Sequence, residues 1–211
     1  PGIVMQSQAE LDQFQTLVEP CHSYAGSISL GGYGDDSEGP MTDLSPISSL
    51  VHVGGTLGIG ASELEALPQM SLHSVGTLYI DTTLRLPSLD GLQSLRELGA
   101  LKIYYTERLT DLSALANLDP ATIETLSVTL LEVSGLKELT GWDAWTGQLG
   151  SLYLGFNYNL TDISALSDIS SVPGGVTITQ NNQLASLHGL QNLVSTGGLS
   201  VNNNPALTDC S

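Results

Sequence analysis

The sequence has very few basic residues: five Lys and Arg stand against 22 Asp and Glu, which gives a formal net charge of −17 over 211 residues. Binding to nucleic acid depends on Lys and Arg side chains that displace counterions from phosphates, and anionic lipid attracts basic segments. The charge balance therefore argues against nucleic-acid and membrane-surface roles. Binding of cations or basic partners, or solubility in a salty medium, agrees better with this negative charge.

Cysteines and long apolar runs are also scarce. No stretch approaches the ~20 apolar residues that a membrane-spanning helix needs, so we expect no membrane insertion. The start, PGIVMQSQ, lacks the basic and long apolar regions of a signal peptide. Two cysteines, Cys21 and Cys210, are too few for a disulfide scaffold and lack metal-site spacing. The length and the 41% hydrophobic content fit one folded domain over residues 1–211.

What the sequence does contain is a repeat. Short apolar-x-apolar strands recur every 21 to 29 residues, and each is followed by a segment with an apolar residue at every third position. Period three fits short extended or 3₁₀ pieces bent around a core. Stacked coils of this kind pair their strands in a parallel sheet. We therefore predict a mainly β, right-handed solenoid of about eight coils over residues 27–211, with an incomplete last coil. The strand pairs are Ile28/Leu30, Leu57/Ile59, Leu78/Ile80, Leu101/Ile103, Leu126/Val128, Leu152/Leu154, Val176/Ile178 and Leu199/Val201.

Two further motifs recur at fixed coil positions. TDLSPI at 42–47 returns as TDLSAL at 110–115 and TDISAL at 161–166, while SLDGLQSL at 88–95 returns as SLHGLQNL at 186–193. Recurrence at one coil position indicates turn chemistry, so we predict that Asp43, Asp111 and Asp162 cap backbone turns.

Asparagines also recur, five residues after the first apolar residue of a strand, at Asn157, Asn181 and Asn204. Stacked asparagines can satisfy turn backbone groups from coil to coil, as in leucine-rich repeats. We predict a structural role for them. Trp142 and Trp145 continue the three-residue spacing of the return segment, which predicts that at least Trp142 lies in the core.

A helix is predicted before the first coil. Ser7 followed by Glu10 is a capping-box start, and Leu11 and Phe14, with Leu17 or Val18, form a helical stripe. Terminal coils of a solenoid need a cap. We therefore predict a capping helix over residues 7–19.

One segment resembles a metal-binding motif. GGYGDDSEG at 31–39 matches the first six positions of the calcium nonapeptide, but Glu38 then stands where an aliphatic residue belongs, and no second copy occurs. Asp35, Asp36 and Glu38 are candidate calcium ligands. The alternative is an acidic loop that accounts for the long first coil.

No nucleophile–base arrangement or catalytic motif is present, and the four histidines fall in unrelated coils. We predict a protein that is not an enzyme and that needs no cofactor apart from this calcium. Asn159 begins the sequon Asn-Leu-Thr, which matters only in a secreted eukaryotic protein.

The outward face of the predicted sheet carries the candidate binding residues. The middle residue of an apolar-x-apolar strand points away from the core, and an exposed Tyr cluster with a basic residue is typical of recognition surfaces. The alternative is that Tyr is there for its strand propensity. The middle residues are Ser29, Gly58, Tyr79, Lys102, Ser127, Tyr153, Thr177 and Ser200, and positions just beyond the strand pairs add Asp81, Tyr104 and Thr129. We predict a ligand-binding face of Tyr79, Asp81, Lys102, Tyr104 and Tyr153.

The order of capping helix, CHSYAGSISL (21–30), LSPISSLVHVGGTLGI (44–59) and GGLSVNNNPAL (197–207) resembles the receptor L domain. That solenoid occurs in insulin and epidermal growth factor receptors, in fungal cell-wall proteins and in secreted bacterial proteins. The resemblance implies an extracellular, non-catalytic domain. The receptors' cysteine before the helix has no counterpart in residues 1–20, so the microbial surface proteins are the closer likeness.

These observations predict a secreted or cell-surface binding or adhesion module that recognises a protein or glycan through its sheet face. The alternative is a structural spacer or assembly subunit that self-associates through the solenoid ends. The residues at the ends are Cys21 and Cys210. Seven coil steps separate them by ~34 Å, which is too far for a disulfide within one chain. A disulfide between the ends of two different chains is the alternative. In the LTDCS segment, Cys210 also fits the buried slot that Leu112 and Ile163 occupy in related coils.

Overall fold

The fold is a mainly β solenoid of about eight turns with an all-parallel sheet, as a computed structural model of the chain shows. The structure describes residues 2–18, 22–31, 40–143 and 145–209. The predicted repeat architecture is confirmed. Asp35, Asp36, Glu38, Cys21 and Cys210 lie outside the described residues, so the predictions made for them stay predictions.

The elements follow one another along the chain with one long strand in each coil. The helix α1 spans Gln8–Val18, and 3₁₀ turns span Ser45–Ile47, Ser113–Leu115 and Ser164–Leu166. The strands are β1 (Gly2–Met5), β2 (Ser23–Tyr24), β3 (Ser27–Gly31), β4 (His52–Gly60), β5 (Ser74–Asp81), β6 (Glu97–Thr106), β7 (Leu126–Val133), β8 (Leu149–Gly155), β9 (Ser171–Val172), β10 (Val176–Thr179), β11 (Ser195–Thr196) and β12 (Leu199–Asn202).

The main sheet runs in the order β1-β3-β4-β5-β6-β7-β8-β10-β12, with β2 paired to β4, and β9 and β11 form a small second sheet. Every pairing is parallel, and inward residues stack in rows. Ile28, Leu57, Leu78 and Leu101 form one such row, and each is 0% exposed. The core is therefore a column of aliphatic side chains between the sheet and the return segments.

Strand β1 lies before the first coil expected from the sequence. Gly2–Met5 pairs with β3, with Met5 buried and Val4 63% exposed on the outer face. GIVM is a short apolar run without alternation, and periodicity alone does not identify a strand in such a run. The sheet therefore begins upstream of the helix rather than at residue 27.

The helix α1 confirms the predicted capping element within one residue at each end. The Glu10 backbone N–H donates to the Ser7 hydroxyl at 3.3 Å, while the Glu10 carboxylate accepts from the Gln6 backbone N–H at 2.6 Å. Leu11 and Phe14 are buried. The Gln8 side chain accepts from the backbone N–H groups of residues 42 and 43, which fixes the helix against the first return segment.

Strand β7 has a different register from the predicted one. The pair aligned with Leu101 and Ile103 is Val128 and Leu130, not Leu126 and Val128. The outward residue between them is Thr129 instead of Ser127. Leu126, Val128 and Leu130 alternate evenly, so the pattern fits two registers that differ by two residues and bury the same face.

The three recurrent aspartates cap turns, as predicted. In each case the carboxylate accepts from the backbone N–H of the serine two residues later: Asp43 from Ser45 at 2.8 Å, Asp111 from Ser113 at 2.7 Å and Asp162 from Ser164 at 2.7 Å. That serine begins the 3₁₀ turn of its coil.

Two of these caps predict a pH dependence of stability. Hydrogen bonds from the Ser45 side chain and backbone lower the pKa of Asp43, and the Ser113 backbone N–H lowers the pKa of Asp111, both from an ordinary value of 3.8. Because both pKa values fall on folding, the stabilisation is present above about pH 4 and is lost as pH falls through the folded values. In urea unfolding from pH 6 to pH 2, Asp43→Asn/Asp111→Asn should lose less stability below pH 4 than the unsubstituted chain. Parallel curves for the two proteins would contradict the assignment.

The repeated segments SLDGLQSL (88–95) and SLHGLQNL (186–193) also form turns, and these turns stack on the aspartate turns. In each copy, a Gly N–H donates to a Gln side chain two residues on: Gly91 to Gln93 at 2.8 Å and Gly189 to Gln191 at 2.6 Å. Gly189 has φ of 122°, and a Cβ there would lie 2.0 Å from the Ile163 carbonyl oxygen. The glycine is required because the preceding coil's turn occupies the space of a side chain.

The asparagines form a ladder, as predicted. Asn157 Oδ1 accepts from the Val133 N–H at 2.9 Å, and its Nδ2 donates to the Leu130 carbonyl at 3.0 Å. Asn181 repeats both bonds one coil later, to the Asn157 N–H at 3.1 Å and the Leu154 carbonyl at 3.0 Å. Asn204 does the same against Asn181 and Ile178. Each side chain thus ties its own coil to the preceding one.

Candidate functional site

The candidate site lies on the outer face of β5 and β6. Parallel pairing places Tyr79 directly beside Lys102, and Asp81 directly beside Tyr104. Four of the five residues predicted for the ligand-binding face are therefore brought together. Tyr153 lies in the row of Lys102 but two strands away, across Thr129, which is about 10 Å.

The tyrosine rings pack on one another. The ring centroids of Tyr79 and Tyr104 are 5.4 Å apart with the planes tilted by 48°. A third ring, Tyr105, lies 6.4 Å from Tyr104 and is 46% exposed. Packing of this kind restricts the ring positions before a ligand binds. We call the group Tyr79, Lys102, Tyr104 and Tyr105 the tyrosine patch.

Asp81 has a different place from the one predicted. Asp81 is buried, at 2% exposure, and its carboxylate accepts from the Tyr79 hydroxyl at 2.6 Å and from the Thr82 hydroxyl at 2.9 Å. Asp81 therefore lies beneath the surface, where it holds the Tyr79 hydroxyl, and presents almost no area of its own. Sequence alternation alone could not show this, since it places Asp81 on the outer face.

Tyr105 is the residue of the patch that sequence reasoning missed. It follows the outward positions of β6 and adopts a left-handed backbone with φ of 51°. The same coil position is left-handed in later coils, at Glu132, Phe156, Gln180 and Asn203. The strand alternation ends at this residue, so period two does not predict where its side chain points. The doublet Tyr104-Tyr105 at a strand end was the available signal.

Lys102 supplies the positive charge of the patch. Its side chain is exposed and makes no ion pair among the residues that the structure describes. By contrast, Arg85 pairs with Glu63 at 2.9 Å, and Arg96 donates to the Gln93 and Leu95 carbonyls. In a chain of net charge −17, Lys102 is a cation available to a ligand.

The surroundings of the patch are flat. The neighbouring outward positions on the same rows are Gly58, Gly60, Thr129 and Leu131. Because the neighbouring β4 residues are small, the tyrosine rings of the patch stand above the sheet on that side. On the other side, the Tyr153 ring lies over Gly155. The result is a ridge of two central strands with shallow flanks, not a closed cleft.

Nothing within the described ranges forms a cluster of three or more His, Cys, Asp or Glu side chains that could hold a metal ion.

Asn159 has an exposed side chain whose Nδ2 donates to the Ser134 carbonyl at 2.7 Å. Glycosylation at this position stays a prediction. Over the part of the chain that is described, no helix is both long and apolar enough to cross a bilayer.

Comparison of the chain with protein-family models, with curated proteins and with solved structures finds no significant match.

Proposed function

We propose that this chain is a non-enzymatic, extracellular or cell-surface binding module of the receptor L domain type, which recognises a protein or glycan through the tyrosine patch. The observation that carries the proposal is the packed ring group Tyr79, Tyr104 and Tyr105 beside the exposed Lys102. Rigid aromatic residues with a basic neighbour are enriched at the energetic centres of interfaces. The parallel solenoid and its capping helix agree with the family likeness.

The test begins with two separate binding screens, because protein and glycan ligands need different probes. The purified chain is screened on a glycan microarray and against a displayed peptide library. For the strongest binder, Tyr104→Ala should weaken the affinity by roughly 30-fold, the loss of about 2 kcal/mol typical of a central aromatic. Tyr153→Ala should weaken it only if the ligand extends across β7.

Thr177→Ala is the matched control, because Thr177 lies on the same outward row in β10. It should change the affinity less than twofold, and circular dichroism should show that each variant remains folded. Equal affinities of Tyr104→Ala and the unsubstituted chain would rule out the patch as the binding face.

A specific observation also favours the structural alternative, self-association through a solenoid end. The coil of β11 and β12 exposes Val194 (88%) and Leu199 (56%), and residues 169–208 contain no Asp, Glu, Lys or Arg. Two copies can meet at this neutral end without the repulsion expected between chains of net charge −17. Sedimentation velocity at rising concentration distinguishes the alternatives: assembly predicts an increasing sedimentation coefficient, and a binding module acting alone predicts a constant one.

A further inference from the structure

A second group of aromatic side chains lies two coils away from the tyrosine patch. The Phe156 and Tyr158 rings meet edge to face, with their centroids 6.4 Å apart and their planes at 87°. Tyr105 of the patch is 46% exposed and Tyr158 is 38% exposed, which makes them the most exposed aromatic side chains among the described residues. Both tryptophans are buried, as predicted for Trp142. The most exposed aromatic surface therefore lies on the coils of β6 and β8.

The sheet register aligns the two groups. The left-handed coil position that Tyr105 occupies is taken by Glu132 in the next coil, by Phe156 in the one after and then by Gln180. We call these four residues the left-handed row. Because neighbouring strands lie about 4.8 Å apart, Tyr105 and Phe156 are separated by about 10 Å. The row runs across the strands, so a ligand that follows it extends along the solenoid axis.

Glu132 supplies a hydrogen-bond acceptor between the two aromatic groups. Its side chain is half-buried and makes no ion pair or hydrogen bond with any residue that the structure describes. A carboxylate accepts from the hydroxyl groups of a neutral ligand, and in a chain of net charge −17 it adds to the repulsion of anions. Gln180, beyond Phe156, adds an amide that both donates and accepts.

This alternation of aromatic and polar side chains matches a sugar chain. A pyranose ring of an extended β-linked chain presents C–H groups on its face, which pack on the electron-rich face of an aromatic ring, and its hydroxyls lie at the rim. Successive rings repeat at about the spacing of neighbouring strands, and alternate rings present the same face. Aromatic groups two coils apart therefore suit alternate rings, and Glu132 lies beside the ring between them.

A peptide suits this surface less well. Sheets that bind extended peptides do so through a free strand edge with pockets for alternate side chains. Strands β6, β7 and β8 are each paired on both sides, so the left-handed row offers no backbone groups for such pairing.

We propose that the left-handed row binds a neutral, extended, β-linked oligosaccharide along the solenoid axis. Alternate sugar rings pack on Tyr105 and on the Phe156–Tyr158 pair, and the ring between them donates a hydroxyl hydrogen bond to Glu132. This inference rests on the proposed function, because Tyr105 belongs to the tyrosine patch, and it selects glycan from the two ligand classes.

Isothermal titration calorimetry with sugar chains of two lengths tests the proposal. The probes are the disaccharides and tetrasaccharides of the neutral β-1,4-linked cello-, xylo-, manno- and N-acetylchito-oligosaccharides. A disaccharide is too short to reach both aromatic groups, whereas a tetrasaccharide reaches both. In at least one series the tetrasaccharide should bind about tenfold more tightly, the effect of one further aromatic contact. Maltotetraose, whose α-linked chain is curved, should show no such gain over maltose.

Phe156→Ala removes one of the two aromatic contacts. It should lower the affinity for the tetrasaccharide about tenfold, to that of the disaccharide. Asn203→Ala is the matched control, because Asn203 has the same left-handed backbone, with φ of 55° against 57°, and lies two coils beyond Phe156. It should leave the affinity unchanged, and circular dichroism should show that both variants remain folded.

Three results would overturn the proposal: no gain from disaccharide to tetrasaccharide in any β-linked series, an equal gain for maltotetraose, or a full gain retained in Phe156→Ala. The comparison of lengths on the unsubstituted chain decides the matter even if that variant fails to fold. If no tetrasaccharide binds but a peptide from the screen loses affinity on Tyr104→Ala, the tyrosine patch remains the binding face and only the glycan assignment is wrong.

Discussion

Gly189→Ala should destabilise the chain by about 3–5 kcal/mol, the sum of a strained left-handed alanine and an overpacked contact between coils. Gly189 has φ of 122°, and a Cβ would lie 2.0 Å from the Ile163 carbonyl oxygen and 2.7 Å from its carbon. These Ile163 atoms belong to the backbone, so they cannot move away from the new Cβ as the end of a flexible side chain could. The two coils must therefore separate locally, which also weakens the bonds of the aspartate turn beneath.

The measurement is urea unfolding followed by circular dichroism, with Gly198→Ala as the control. A Cβ at Gly198 meets nothing within 4 Å, so this variant should unfold within about 0.5 kcal/mol of the unsubstituted chain. Similar midpoints for the two alanine variants would show that the glycine turn does not pack against the preceding coil as described.

Asn157→Ala should cost about 3 kcal/mol, because it leaves two buried backbone groups without partners. The Val133 N–H and the Leu130 carbonyl both bond to the Asn157 side chain, which is 0% exposed. Each unsatisfied buried group costs about 1–3 kcal/mol. For a chain of this length, the loss corresponds to a fall in melting temperature of roughly 6–12 °C.

Asn182→Ala is the control for the ladder, because Asn182 is exposed next to Asn181 and lies outside the ladder. Thermal unfolding should place its midpoint within about 2 °C of the unsubstituted chain. In solenoids, stability is a sum of coil and interface contributions, so the Asn157 effect should be strongest for amides of the neighbouring coils in hydrogen exchange. A uniform loss of protection, or none, would contradict the ladder.

The solenoid could be predicted from the sequence because its signals repeat. Each coil presents the same alternation and the same turn residues, so Asp111 and Asn181 could be assigned roles by comparison with their own copies. Buried apolar rows and hydrogen-bonded turns are local consequences of those residues. Features that do not recur could not be assigned by comparison between coils: β1 occurs before the repeat begins, and the β7 sequence fits two registers equally well.

The candidate site was predictable in part. Alternation placed Tyr79, Lys102 and Tyr104 on one surface, and the sheet register confirms that they are neighbours. It could not show that Asp81 is buried and bonds to Tyr79 and Thr82, since such bonds depend on side-chain geometry. Tyr105 was missed because its left-handed backbone ends the strand alternation.

Photo-crosslinking tests the binding role of the tyrosine patch most directly. A benzophenone amino acid is placed at Tyr105, on the patch, and in a second protein at Asp168, an exposed residue of a return segment. Both are irradiated with the strongest binder from the two screens. The proposed function predicts a covalent adduct at position 105 and none at position 168. An adduct at position 168 alone, or equal yields at both, would contradict it.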